Sequence, residues 1–130
     1  MVPASGFYEW HGIKGRKQPY YIYPRDGELF GIAGITELWH GPDGPLHTCA
    51  LITTAPNELM KNIHDRMPVI LRPEDYAAWL DPANQATTEL KKMIKPYPAA
   101  AMAAHPVSPR VNTAKYDDPA LIEPLESAIT

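Results

Sequence analysis

Short apolar runs, each closed by glycine or proline, set the pattern of this chain. Residues 6–10, Gly-Phe-Tyr-Glu-Trp, are aromatic on both faces of an extended stretch and predict a strand that holds Glu9 among three rings. Residues 11–17, with Gly12 and Gly15 between Lys14, Arg16 and Lys17, predict a basic hairpin loop. A second strand follows over residues 20–23 and is closed by the turn residues Pro24-Arg25-Asp26-Gly27. Residues 29–35 form an apolar strand continuing toward Trp39, and Gly31 and Gly34 within it mark bulges or the close approach of another backbone. Gly41-Pro42-Asp43-Gly44-Pro45 then returns the chain into a strand over residues 46–54.

The second half of the chain changes period. Residues 57–62 predict a short polar helix running into a turn that carries His64, Asp65 and Arg66 in a row. Pro68 restricts Met67 to an extended backbone, and Val69-Ile70-Leu71 anchors the turn in a buried segment. Pro73 at a first helical position, acids at 74 and 75, and Tyr76, Trp79 and Leu80 on one face predict an amphipathic helix over 73–80. Residues 87–95 repeat that pattern with Leu90, Met93 and Ile94. Residues 100–107 read as a strand, 108–112 as a structured loop, and the acidic tail from Asp117 as a fraying terminus with one helical turn. Strands joined by short turns favour antiparallel pairing. The expected fold is therefore α+β, one domain over 1–130, with a mainly antiparallel, curved, barrel-like sheet and short flanking helices.

Composition narrows the function more than the fold. At 130 residues, 45% hydrophobic and 21% charged, the chain has the make-up of a globular domain, and its 15 prolines fit many short elements cut by fixed turns. A net charge of −3 excludes a non-specific nucleic-acid coat and leaves only a local patch for nucleic acid. One cysteine, Cys49, excludes an internal disulfide, and no apolar run approaches the roughly 20 residues of a membrane span. Residues 1–6 do not read as a signal peptide, and the expected location is the cytoplasm.

Glu9 and His64 are the leading candidates for chemistry. Either they meet in space and divide acid and base work, or Glu9 is a satisfied strand acid and His64 caps the preceding helix. Arg66 either holds a phosphate by its planar fork, with Lys14, Arg16 and Lys17 as a second contact, or pairs with Asp65. Trp10, Tyr8 and Trp39 either stack on unpaired bases or belong to the core. Thr53 and Thr54 either donate hydroxyls to a phosphate or, in the case of Thr54, cap the helix that starts nearby. His47 and Cys49 share a strand face but make a poor zinc site, Cys49 reads as an inert buried thiol, and no cofactor is indicated.

Several of these stretches together resemble the SOS response-associated peptidase family, the SRAP domain. They are Gly6-Phe7-Tyr8-Glu9-Trp10, Pro19-Tyr20-Tyr21-Ile22, Phe30-Gly31-Ile32-Ala33-Gly34-Ile35 followed by Trp39, Thr53-Thr54-Ala55-Pro56-Asn57, and Ile63-His64-Asp65-Arg66-Met67-Pro68-Val69-Ile70-Leu71. Val107-Ser108-Pro109-Arg110-Val111-Asn112 resembles the family's closing motif. The resemblance implies recognition of abasic sites in single-stranded DNA during the DNA-damage response. It implies a covalent thiazolidine formed by an N-terminal cysteine, and a self-processing peptidase activity that frees that cysteine. Glu9 would orient the amine and assist proton transfer, and His64 would open the sugar and resolve the link. Trp10, Thr53 and Arg66 would lie near the strand. The family's Cys-Gly-Arg-Phe start and Asn-Ala-Arg-x-Glu motif are not in this sequence, so the chain is expected to match the C-terminal part of the domain and to form no such cross-link by itself. An incomplete sheet is expected to expose edges and apolar surface, and so to favour a homodimer, strand exchange or an N-terminal segment supplied in trans.

Overall fold

The computed structural model describes residues 1–125. Ten short strands and two single-turn α-helices follow one another: β1 Val2–Ala4, β2 Phe7–Ile13, β3 Arg16–Pro24, β4 Phe30–Ile32, β5 Gly34–Gly41, β6 Gly44–Leu51, β7 Thr53–Thr54, β8 Met67–Pro68, β9 Ile70–Leu71, α1 Tyr76–Leu80, α2 Thr87–Lys91 and β10 Met102–Pro106. All pairings among them are antiparallel. The strands form four sheets, β1-β4-β9, β10-β3-β2, β5-β6 and β7-β8, and do not close into a barrel among the described residues. The antiparallel part of the expectation is met; the barrel is replaced by small sheets.

The reason lies in three single-residue breaks. Each long apolar run splits at one residue, Ala33 between β4 and β5, Ile52 between β6 and β7, and Val69 between β8 and β9. These residues bond one another in a ring: Ala33 N–H donates to the Val69 carbonyl (2.8 Å), Val69 N–H to Ile52 (2.8 Å), and Ile52 N–H to Ala33 (3.0 Å). The backbone groups that leave their ladders are thus satisfied by each other, as buried peptide groups require. Ala33 and Val69, with Leu71, form one small core under Ile52, Trp79, Met93 and Ile94. Gly31 marks a close approach, since a Cβ there would lie 2.7 Å from the Met1 sulfur and 2.8 Å from the Tyr76 ring.

The main core gathers Ile22, Phe30, Ile32, Met60, Met67, Ile70 and Met102. Register explains its face. Ile22 pairs with Phe7 on one side and Ala104 on the other, so alternate residues Phe7, Ile22 and Ala104 point inward. The hairpin between β2 and β3 is tighter than the loop expected over 11–17, because both strands run into a two-residue Lys14-Gly15 turn. Gly12 makes this twist with a φ of 117°, where a side chain would also meet the Arg16 carbonyl at 2.5 Å.

The helices are shorter than their patterns. Residues 57–62 yield only a 3-10 turn at Met60–Asn62, and the second amphipathic pattern forms α2 over Thr87–Lys91 alone. The pattern over 73–80 is realised as a 3-10 turn, Pro73–Asp75, leading into α1. The loop over 108–112 carries a 3-10 turn, Pro109–Asn112, and the tail carries another, Pro119–Ile122, where Asp118 accepts from the Ala120 N–H. Residues 126–130 of the tail lie outside the described residues.

At the β5-β6 hairpin one expectation fails and one alternative is closed. Cys49 and Trp39 lie on exposed strands, Trp39 at 53% exposure, because no other sheet packs over this ladder among the described residues. Cys49 is therefore not a buried thiol, and Trp39 is not core.

Burial pushes the Tyr97 phenol above its ordinary value, helped by Tyr76 and Asp26 nearby, and burial does the same to Tyr8. A raised folded value means that the neutral phenol is favoured by folding. That stabilisation is present below about pH 10 and is lost as pH rises through the folded value. Phenolate absorbance followed alongside circular dichroism should therefore show late-ionising tyrosines, with loss of secondary structure accompanying their titration. Ionisation of all seven tyrosines before any structural change would contradict this.

Candidate functional site

Strand β2 delivers Glu9 and Trp10 to one end of the β10-β3-β2 sheet, with Glu9 opposite Tyr20 and Trp10 opposite Pro19. The turn after Met60–Asn62 delivers His64. Its backbone is fixed by bonds from the Ile63 and His64 N–H groups to the Met60 carbonyl, each 2.8 Å, and buried Met60 and Met67 clamp both ends. Buried Asn57 holds the start of this segment. Its Oδ1 accepts from the Met60 N–H (2.9 Å), and its Nδ2 donates to the Tyr97 carbonyl (2.6 Å). Asn57, rather than Thr54, thus supplies the side-chain acceptor at the start of this turn.

Glu9 and His64 meet. The Glu9 Oε2 lies 3.9 Å from the His64 Nε2, with the side chains 24% and 38% exposed. At that distance they share no direct hydrogen bond, and both atoms remain available to a group placed between them. The other ring nitrogen, Nδ1, has one donor and two acceptors beside it: the Arg66 N–H at 3.1 Å, the Arg66 carbonyl at 3.2 Å and the Asp65 Oδ1 at 3.2 Å. A neutral ring with its proton on Nε2 accepts from the Arg66 N–H. A charged ring donates to the carbonyl or carboxylate. Either proton state of the ring therefore finds a partner at Nδ1. Asp65 serves His64 in this way and does not pair with Arg66.

Arg66 instead reaches Thr53, donating from Nη2 to both its carbonyl and its Oγ1, each at 2.8 Å. The β7-β8 pairing, with Thr53 opposite Pro68, brings them together.

Trp10 donates its indole N–H to the Oδ1 of Asn112 at 2.7 Å. Asn112 ends the 3-10 turn that Ser108 caps, and Arg110 braces that turn by an ion pair to Asp118 (2.9 Å) and by stacking 4.5 Å over the Tyr116 ring. An indole N–H only donates, so this bond fixes the amide with its oxygen toward Trp10. A cavity of about 620 Å³ opens between these parts, lined by Glu9, Trp10, Gly15, Lys17, His64 and Asn112. Thr53 and Arg66 do not line it; they lie two residues and one strand pair away from His64. Asn112 was not foreseen as a site residue, although Ser108-Pro109 is the signal that caps its turn.

The SOS response associated peptidase (SRAP) family model matches residues 1–114. This chain belongs to that family. The SRAP chain is 46% identical over 125 residues to the abasic site processing protein YoqW of Bacillus subtilis, covering 95% of this chain and 56% of that protein. It is 38% identical to the abasic site processing protein HMCES of Gallus gallus, covering 99% of this chain and 44% of that protein. A crystal structure of a protein from Bacteroides thetaiotaomicron superposes with a TM-score of 0.86 at 31% identity, over 96% of this chain and 56% of that one. The SRAP chain thus spans about half the length of the curated relatives it matches. Among its described residues, no group of three or more His, Cys, Asp or Glu is placed to hold a metal, and no helix is long and apolar enough to cross a membrane.

Proposed function

We propose that this SRAP chain recognises abasic sites in single-stranded DNA, as part of the response to DNA damage, with Glu9 and His64 as its acid/base pair. The meeting of Glu9 and His64 across 3.9 Å, at the mouth of a cavity walled by Trp10, carries the reading. An abasic nucleotide has no base to fill such a cavity, so its sugar can enter while the Trp10 ring stacks on the neighbouring base. His64 protonates the ring oxygen as the sugar opens to its aldehyde, and Glu9 takes or returns the proton of the attacking amine. In a protein that also carries the family's N-terminal cysteine, that amine and thiol would complete the covalent link. Arg66, fixed by Thr53, keeps further N–H groups free for a backbone phosphate just outside the cavity.

Fluorescence anisotropy with two single-stranded oligonucleotides of the same sequence, one carrying a single abasic site, tests this. Tighter binding of the abasic strand is expected. Equal binding of both would make the chain a general single-strand binding module instead, and binding of neither would remove the DNA reading.

We further propose that the β5-β6 hairpin is an association surface. Ile35, Trp39 and Leu46 stand exposed on one face and Leu38 and Leu51 on the other, and a two-stranded ladder open on both sides is marginal in water. Light scattering of the 130-residue chain is expected to show self-association, weakened by Trp39→Ser. A sharp monomer that unfolds cooperatively would contradict it.

A further inference from the structure

We propose that Lys17 is an amine nucleophile of this site, forming a reversible imine with the aldehyde of an abasic sugar. The proposal rests on the reading that the cavity takes an abasic nucleotide. Of the residues lining the cavity, Lys17 is the one amine, and it shares the cavity with the acid/base pair of Glu9 and His64. It makes no ion pair among the described residues, where the salt bridges use Lys61 and Lys92. Register explains its freedom. Lys17 lies opposite Gly12, which has no side chain to crowd it, and it follows the turn whose Gly15 also lines the cavity. Lys14 and Arg16, its neighbours in the same basic stretch, do not line it. The cysteine at 49 lies on β6, outside the cavity.

The chemistry balances without any further reactant. The Lys17 ammonium gives one proton to His64, and the freed nitrogen pair attacks the aldehyde carbon to form a carbinolamine. The proton held on His64 then lets the hydroxyl leave as water, and a C=N bond remains. Nothing is oxidised or reduced, and water reverses the step.

The test is hydride trapping. The full chain is mixed with an abasic single-stranded oligonucleotide and with cyanoborohydride, which reduces an imine to a stable secondary amine, and the adduct is mapped by peptide mass spectrometry. The adduct is expected on Lys17. Lys17→Arg should lower the trapped fraction about tenfold or more, because a guanidinium keeps the charge but forms no imine, while Lys95→Ala, at an exposed lysine outside the cavity, should leave it unchanged. An adduct mapped to another lysine or to the Met1 amine, or equal trapping in Lys17→Arg, would overturn the proposal. Anisotropy on the same samples separates the two readings. Selective abasic binding without an adduct removes the imine alone, and loss of selective binding removes the proposed function with it.

Discussion

Replacing Asn57 by alanine is expected to lower the stability of this SRAP chain by about 3 kcal/mol. The substitution strands the Tyr97 carbonyl and the Met60 N–H, each of which now has an Asn57 partner beside the methionine core, and an orphaned buried group costs roughly 1–3 kcal/mol. With a total stability of roughly 5–15 kcal/mol for a small domain, that is a large share, read as a fall in Tm of the order of 10 °C. Asn57→Asp sharpens the test. It keeps an acceptor for Met60 but turns a carboxylate toward the Tyr97 carbonyl and the Met102 sulfur, 3.1 Å from the present Nδ2. That variant should regain stability as pH falls, when a protonated acid again donates. Thermal unfolding followed at neutral and acid pH checks both. A shift of less than 1–2 °C in Asn57→Ala would show that the Asn57 bonds do not hold the turn that carries His64.

The second large effect is expected at Arg66. Arg66→Ala should weaken binding to single-stranded DNA about tenfold, roughly 1.4 kcal/mol. It should also flatten the dependence of log K on log salt by about 0.7, the signature of one lost phosphate contact on a single strand. Arg66→Lys should recover little, since one ammonium cannot bond both the carbonyl and hydroxyl of Thr53 and still present a fork to a phosphate. Thr53→Val is expected to give a milder loss of the same kind, by releasing the guanidinium without removing it. If Arg66→Ala leaves the salt slope unchanged, Arg66 is structural only.

Much of the candidate site's geometry was legible in the sequence because its signals are local. His64-Asp65-Arg66 between a capped turn and Met67-Pro68 could only be a presented turn, and Glu9 among aromatic residues marked the facing strand. What sequence could not supply was partner choice. Whether Arg66 would take Asp65 or Thr53 depends on the β7-β8 pairing, which brings residues 53 and 66 together. Asn112 was hidden for the same reason, lying 102 residues from the indole it holds. The sheet was misjudged at Ala33, Ile52 and Val69. Each is an ordinary strand residue by type, and only their mutual hydrogen bonds reveal that three strands break at one place. Cys49 was misplaced, and Trp39 could not be assigned, because strand composition reports pairing, while burial depends on what packs above the strand.

The most direct measurement of the central claim is a heteronuclear NMR titration of the chain with the abasic and the undamaged oligonucleotide, watching the Trp10 indole N–H and the His64 ring. Both sit on the cavity beside Glu9. If this cavity takes the abasic nucleotide, these resonances shift with the abasic strand and shift less, or along a different path, with the undamaged one. If the two strands shift them alike, or if abasic-specific changes gather on the β5-β6 hairpin while Trp10 and His64 stay still, the cavity is not where the damage is read.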